Sequence, residues 1–166
     1  MKDLPKLVIT DIDGVWTDGG MYYDNKGNEL KKFSTSDGGG VIFLKLMKIP
    51  IAIITGENTE IMRRRAEKLG IEKLYMGVKD KVSIAKAICN DMNIALEDVA
   101  FIGDDINDIK LLKIVGLSAT PDNSPKYIKD IVDVVINVKG DFRAFVEHIL
   151  ETSNKMNEVL KLYLKE

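Results

Sequence analysis

The sequence predicts an α/β fold, a parallel sheet covered by helices on both faces, in a single domain over residues 1–166. Three observations lead there. Short apolar runs recur along the chain and read as buried strands. Segments with helical spacing alternate with them, the pattern of βαβ units. The first run, Leu7-Val8-Ile9, closes on Asp11-Ile12-Asp13-Gly14, so one strand delivers two carboxylates to its carboxyl end. That is the edge at which open parallel sheets place their sites.

The elements follow in order. Residues 7–10, 51–54, 74–76, 99–102, 116–119 and 132–136 supply strands, and residues 40–47, 59–69, 81–92, 107–114 and 125–131 supply helices. Ser83-Ile84-Ala85-Lys86-Ala87-Ile88-Cys89 repeats apolar residues at helical spacing, and Gly70 behind Leu69 is a stop signal. Residues 20–33 break the alternation with two extended arms around Asn25-Lys26-Gly27-Asn28. They read as a β-hairpin, a flap over about residues 18–35 inserted after the first strand. Such arms are too polar and too few to stand alone, so the hairpin packs on the body or pairs with another copy. The tail, residues 153–166, reads as an amphipathic helix with Met156, Val159, Leu160 and Leu164 on one side. Together these make a Rossmann-like sheet.

Composition narrows the function classes. With 166 residues, 45% hydrophobic and 30% charged, the chain has the make-up of a globular domain with a real core. A net charge of −2 gives no reason to expect nucleic acid or an anionic membrane as partner. No apolar stretch approaches a membrane span, and the start MKDLPK lacks a signal-peptide core, so a cytoplasmic protein is expected. The lone Cys89 excludes an internal disulfide and reads as an inert core thiol. Any histidine-dependent triad would rest on His148 alone, in a helical stretch near the C-terminus.

Four groups of residues fall at the carboxyl ends of four predicted strands. Asp-x-Asp-Gly has a plain reading as a strand followed by a turn. As a site, Asp11 and Asp13 repel each other, which a divalent cation offsets most simply, and if Asp11 is a nucleophile its neighbour Asp13 can protonate a leaving group. A calcium loop from Asp11 would need oxygen ligands where Val15 and Tyr22 stand. Ile53-Ile54-Thr55-Gly56 brings a hydroxyl and backbone N–H groups to the start of the next helix, where an anion binds. Lys81 begins a helix, the wrong end for a cation, and so needs an anionic partner, the plainer account of a single such position being a solvated lysine. Gly103-Asp104-Asp105-Ile106-Asn107-Asp108 is an acidic loop, part of which caps the helix that follows.

The ordered set of acidic pair, Thr-Gly, Lys and Gly-Asp-Asp-x-x-Asp, from Asp11 to Asp108, resembles the haloacid dehalogenase superfamily, mostly phosphatases. The resemblance implies that Asp11 attacks phosphorus and forms an aspartyl-phosphate. Asp13 would protonate the leaving oxygen and then activate water, while Thr55 and Lys81 hold the phosphoryl oxygens. It implies Mg²⁺ on Asp11, Asp104 and the backbone carbonyl of Asp13, with Asp105 and Asp108 orienting metal waters or Lys81 from outside. Phosphoryl transfer is chiefly positioning and charge compensation, which suits these residue types. Separate cap domains in this superfamily lie between the first and second elements or between the second and third. Here those intervals hold only the hairpin with one helix, and one helix with one strand, so the chain is capless.

The local wording narrows the resemblance. Asp13-Gly14-Val15-Trp16-Thr17-Asp18-Gly19-Gly20, the hairpin, and Phe33-Ser34-Thr35-Ser36-Asp37-Gly38 are similar to phosphatases of eight- and nine-carbon keto-sugar acids. Those are tetramers that associate through central hairpins, and the likeness, which runs to about His148, implies a homotetramer with sites completed by a neighbouring subunit. Octulosonate enzymes usually carry Thr-Gly-Arg at the second element. Thr55-Gly56-Glu57, followed by Arg63-Arg64-Arg65-Ala66-Glu67-Lys68, is similar to the nononate branch instead. The expected substrate is therefore 2-keto-3-deoxy-nononate 9-phosphate, then 3-deoxy-manno-octulosonate 8-phosphate, then N-acylneuraminate 9-phosphate, all of sugar acid and sialic acid metabolism. Thr55, Gly56, Glu57, Arg65, Lys68 and Lys81 are the expected substrate contacts. Glu57 would accept bonds from sugar hydroxyls, and Arg65 and Lys68 would take the distant carboxylate across a subunit boundary. The plainer account of residues 63–68 is a solvated helix face paired with Glu60 and Glu67.

Two readings come from other classes. A phosphoacceptor signalling domain combines acidic residues, Thr and Lys around Mg²⁺, but needs an Asp after its third strand. Here Thr55-Gly56-Glu57 follows the second long core strand without one. A non-catalytic oligomerisation module would be free to lose Asp13 or Lys81, and both are present.

Overall fold

In the computed structural model, which describes residues 3–137 and 141–165, the sheet is built outward from a fully buried strand, β1 (Leu7–Thr10). A two-stranded hairpin, β2 (Tyr22–Tyr23) and β3 (Glu29–Leu30), and helix α1 (Asp37–Leu46) follow it. The chain then runs through β4 (Ile51–Ile54), α2 (Glu60–Leu69), β5 (Lys73–Tyr75) and α3 (Lys81–Met92). It returns through β6 (Val99–Ile102), α4 (Ile109–Leu112), β7 (Leu117–Pro121), α5 (Lys126–Lys129) and β8 (Val134–Ile136). Helices α6 (Asp141–Thr152) and α7 (Met156–Leu164) complete it.

The main sheet has six parallel strands in the order β5-β4-β1-β6-β7-β8. Strand β1 pairs with β4 on one side (Thr10 opposite Ile53) and β6 on the other (Thr10 opposite Ile102). Winding therefore reverses at β1, and the crevice outside its carboxyl end is where such sheets bind ligands.

Alternation along the strands assigns the helices to their layers. Val8 packs in one core cluster with Leu44 of α1, Met62 of α2, Phe145 of α6 and Val159 of α7. Leu7 and Ile9 pack in the other with Ile88 and Cys89 of α3, Leu111 of α4 and Ile128 of α5. Each large aliphatic side chain so buried contributes about 1.5–3 kcal/mol. Cys89 is a buried thiol, and burial raises its pKa, which disfavours the reactive thiolate.

Three elements differ from expectation, the first two for tertiary reasons. Helix α1 starts at Asp37, through Gly38-Gly39-Gly40, which act as breakers in isolation. A Cβ on Gly40 would lie 3.1 Å from the Cα of Arg143, so the glycines let α1 lie close on α6. The helix expected over residues 107–114 is a 3₁₀ turn, Ile106–Asp108, followed by the short α4. Its start is diverted because Asp108 turns inward to accept backbone N–H bonds from Asp104 and Asp105. In the tail only Val159 is fully buried, while Leu160 and Leu164 are exposed.

The hairpin pairs Tyr22 with Leu30 and Tyr23 with Glu29. Its turn is organised by Asp24, whose Oδ1 accepts from the N–H groups of Lys26 (2.8 Å) and Asn28 (2.9 Å). Met21, Tyr22, Tyr23 and Leu30 are exposed on it. Among the described residues no helix is long and apolar enough to cross a membrane.

Candidate active site

Asp11 emerges from β1 already held, its N–H donating to the Ile102 carbonyl of β6 (3.0 Å). The Thr10 hydroxyl donates to the Asp11 carbonyl (2.6 Å) and accepts from Trp16 Nε1 (2.9 Å). Trp16 in turn stacks on Phe142 of α6 with ring centroids 4.4 Å apart. This chain of contacts fastens the loop after β1 to the body. Within that loop Gly14 has φ +82°, a conformation open to glycine, and a Cβ there would land on the Asp104 carboxylate.

Lys81, at the first position of α3, finds its anionic partners in Asp108 (2.6 Å) and Asp11 (3.1 Å), with all three buried. The other oxygen of Asp108 accepts from the N–H groups of Asp104 (3.1 Å) and Asp105 (3.2 Å). Gly103 makes room for it: a Cβ there would sit 2.6 Å from the Asp108 carboxyl carbon. Burial disfavours the Lys81 charge, but Asp11 and Asp108 together outweigh it and hold its pKa above the usual lysine range.

Asp11, Asp104 and Asp108 each offer a carboxylate oxygen within 4.8 Å of the others. Burial raises the Asp11 pKa to about 6, with Lys81 opposing and Asp108 reinforcing the shift. Burial also raises Asp104 to about 8, reinforced by Asp11, Asp108 and Asp105. One oxygen each of Asp11 and Asp104 is buried with no hydrogen-bond partner among the described residues. Orphaned hard oxygens between like charges are what a divalent cation satisfies, and the donor set fits Mg²⁺.

Thr55 follows β4, whose end pairs with β1, so it reaches the same sheet edge. Its buried hydroxyl accepts from the Glu57 N–H (3.3 Å), and its carbonyl accepts from the Val78 N–H (3.0 Å). Gly56 is exposed, and a Cβ there would make ordinary contact with Asn107 Nδ2 (3.7 Å) and the Val78 carbonyl (3.9 Å). Helix α2 begins only at Glu60, so the N–H groups near Thr55 belong to a loop and not to the helix start that the sequence suggests.

The remaining expected residues separate. The Asp13 carboxylate lies outside the acidic triad and is gripped by Lys31 of the hairpin. Asp105 turns outward and accepts the Ile106 N–H (2.7 Å), capping the 3₁₀ turn. Glu57 and Lys68 are exposed. Arg65 lies over the rings of Trp16 and Phe33 and donates to the Ser34 carbonyl (2.6 Å), clamping the return leg of the hairpin within its own subunit. Lys31 has no signal in the sequence that sets it apart from surface residues, because the fold-back of the hairpin that brings it to Asp13 is tertiary.

Comparison with known proteins agrees with this geometry. A profile of the haloacid dehalogenase-like hydrolases matches residues 73–149. The 3-deoxy-D-manno-octulosonate 8-phosphate phosphatase of Haemophilus influenzae is 35% identical over 153 residues, 90% of this chain and 85% of that protein. The Moraxella catarrhalis enzyme of the same name, crystallised with magnesium, phosphate and the octulosonate, superposes with a TM-score of 0.90 at 31% identity, over 96% of this chain and 93% of that one. The cobalt-bound Haemophilus influenzae structure gives 0.89 at 33% identity, over 96% of each chain. With the site assembled at the carboxyl end of β1 and relatives of this kind along nearly its whole length, the chain belongs to the haloacid dehalogenase-like hydrolases, as a capless phosphatase of the keto-deoxy sugar acid type.

Proposed function

We propose that this phosphatase acts on a keto-deoxy sugar acid phosphate, with 3-deoxy-manno-octulosonate 8-phosphate foremost. The cluster of buried Asp11, Lys81 and Asp108 with half-buried Asp104 carries the phosphatase reading. The substrate rests on relatives named for that sugar, in place of the nononate 9-phosphate that the sequence puts first.

In this reading Asp11 attacks phosphorus, the bond to the sugar oxygen breaks, and an acyl phosphate remains on Asp11. Asp13 gives the leaving oxygen its proton, then takes one from the water that attacks phosphorus; Asp11 departs as carboxylate with release of inorganic phosphate. Lys81 and the Thr55 hydroxyl meet the phosphoryl oxygens, together with N–H groups of the open loop at Gly56. Asp108 keeps Lys81 in place. Asp11, Asp104 and the Asp13 carbonyl would hold Mg²⁺, whose charge screens the anionic phosphate from the acidic cluster.

A specific observation supports a second substrate. Glu57 is exposed beside the open loop at Gly56, where octulosonate enzymes usually carry arginine, and it favours the nononate 9-phosphate. Lys68, exposed on α2, is the cation we assign to the distant carboxylate; Arg65 would join it only by giving up its clamp on Ser34. We also propose that the apolar side chains exposed on the hairpin, Met21, Tyr22, Tyr23 and Leu30, pair copies of the chain into a tetramer that covers the open site, in the cytoplasm. Magnesium-dependent phosphate release from the three sugar acid phosphates, compared by kcat/KM, tests the substrate. Turnover of a generic ester with none of the three preferred would overturn it, and a monomer by sedimentation would overturn the assembly.

A further inference from the structure

The strongest polar contact at the site that the reaction scheme leaves unused joins the hairpin to the acid–base residue. Lys31 Nζ lies 2.7 Å from Asp13 Oδ1 and 2.8 Å from Oδ2. The Lys31 side chain is 0% exposed although its neighbours Leu30 and Lys32 are exposed, while that of Asp13 is 29% exposed. A lysine is rarely buried unless paired, and this one spends two of its three donors on a single carboxylate. The lysine is held from behind as well. Arg65 stacks on Phe33 and binds the Ser34 carbonyl, two and three residues further along the same leg.

From this geometry we propose that Lys31 is a positioning residue for the reaction, fixing the Asp13 carboxylate in the orientation from which it serves the leaving oxygen and the attacking water. The proposal rests on the acid–base reading of Asp13. A lysine that only fastened the hairpin would need no bidentate grip on this carboxylate. Proton transfer, in contrast, demands a fixed one, since a displacement of about 1 Å at a reacting group costs on the order of a hundredfold in rate. The hairpin thereby gains a second role, because the seat of its return leg decides where Asp13 points.

The test replaces Lys31 by Met in the full-length enzyme and measures sugar phosphate and 4-nitrophenyl phosphate hydrolysis beside Asp13→Ala. Expected for Lys31→Met is a fall in kcat of roughly 10–100-fold with the sugar phosphate, little change in KM, and a much smaller fall with the nitrophenyl ester, which leaves without help. Lys31→Arg should recover most of that kcat. In an Asp13→Ala background Lys31→Met should cost nothing further, because residues acting as one unit are not additive. Lys32→Met is the control expected to leave turnover unchanged, its side chain being exposed and 3.8 Å from Asp18. If Lys31→Met fails to fold, Lys31→Gln takes its place in the same cycle. Equal losses with both esters, or additive losses in the Asp13→Ala background, overturn the positioning role while leaving Asp13 intact. An Asp13→Ala enzyme that slows both esters equally instead removes the acid–base reading, and the proposal with it.

Discussion

Lys81 and Asp108 form the tightest ion pair of the buried site, 2.6 Å from Nζ to Oδ1 with both side chains almost wholly out of solvent. Removing a partner from such a pair leaves an uncompensated charge. Lys81→Met should destabilise the metal-free protein by roughly 3–5 kcal/mol and abolish turnover. Denaturant titration in the presence of a chelator measures the first. A loss below about 1 kcal/mol, the range of exposed pairs, would mean that water screens this cluster.

Asp11→Asn makes an opposite prediction for stability. It removes an anion from a group of three whose oxygens lie within 4.8 Å, so the metal-free variant should melt at or above the wild-type temperature. Phosphate release should nevertheless vanish, because an amide is no nucleophile here. Retained turnover in a purified Asp11→Asn protein would move the nucleophile elsewhere.

The pH dependence of the metal-free protein follows from two raised carboxyls. Asp104 stands at about 8 and Asp11 at about 6, against 3.8 for both when unperturbed. Through that window the folded state binds more protons than the unfolded chain, so stability falls as pH rises from about 4 to about 8. Asp24, Asp80 and Asp98, held below the usual range mainly by hydrogen bonds from Asn28, Ser83 and Ala95, titrate beneath it. Mg²⁺ takes the place of the protons, so the rise in Tm on adding it should grow with pH. Thermal scans with chelator and with Mg²⁺ check both slopes; a chelated protein that gains stability across the window contradicts the shifts.

Gly14→Ala should damage the site without replacing any of its functional side chains. At φ +82° a side chain costs about 1–2 kcal/mol, and this Cβ would also displace the Asp104 carboxylate. The concentration of Mg²⁺ for half-maximal activity should rise at least about tenfold, since supporting residues of a metal site are typically worth 10–100-fold. An unchanged Mg²⁺ requirement would place Asp104 outside the cation's reach.

Glu57→Ala separates sugar recognition from chemistry. If Glu57 accepts hydroxyl bonds, its loss costs roughly 1–3 kcal/mol in kcat/KM with the preferred sugar and almost nothing with a small ester. Uniform losses would make it a support for the Thr55 loop, whose hydroxyl accepts the Glu57 N–H.

Local pattern alone determined the order of strands and helices and the residues at strand ends. Apolar runs such as Leu7–Thr10 and Val99–Ile102 can bury all their side chains only inside a covered parallel sheet, so Asp11, Thr55, Lys81 and Asp104 had to arrive at one edge. Lys81 was legible for a further reason: a cation at a helix start needs an anion, and Asp11 and Asp108 supply it. What the sequence could not decide was which of several similar carboxylates and cations turn inward. Asp108 accepts from Lys81 while Asp105 faces solvent as a cap; Arg65 clamps the hairpin where Lys68 stays exposed; the Lys31 side chain is out of solvent beside an exposed Lys32. Each choice depends on contacts between segments far apart in the chain, the hairpin against the loop after β1 and α1 against α6. Such contacts leave no period in the sequence, so only the assembled tertiary structure sets them.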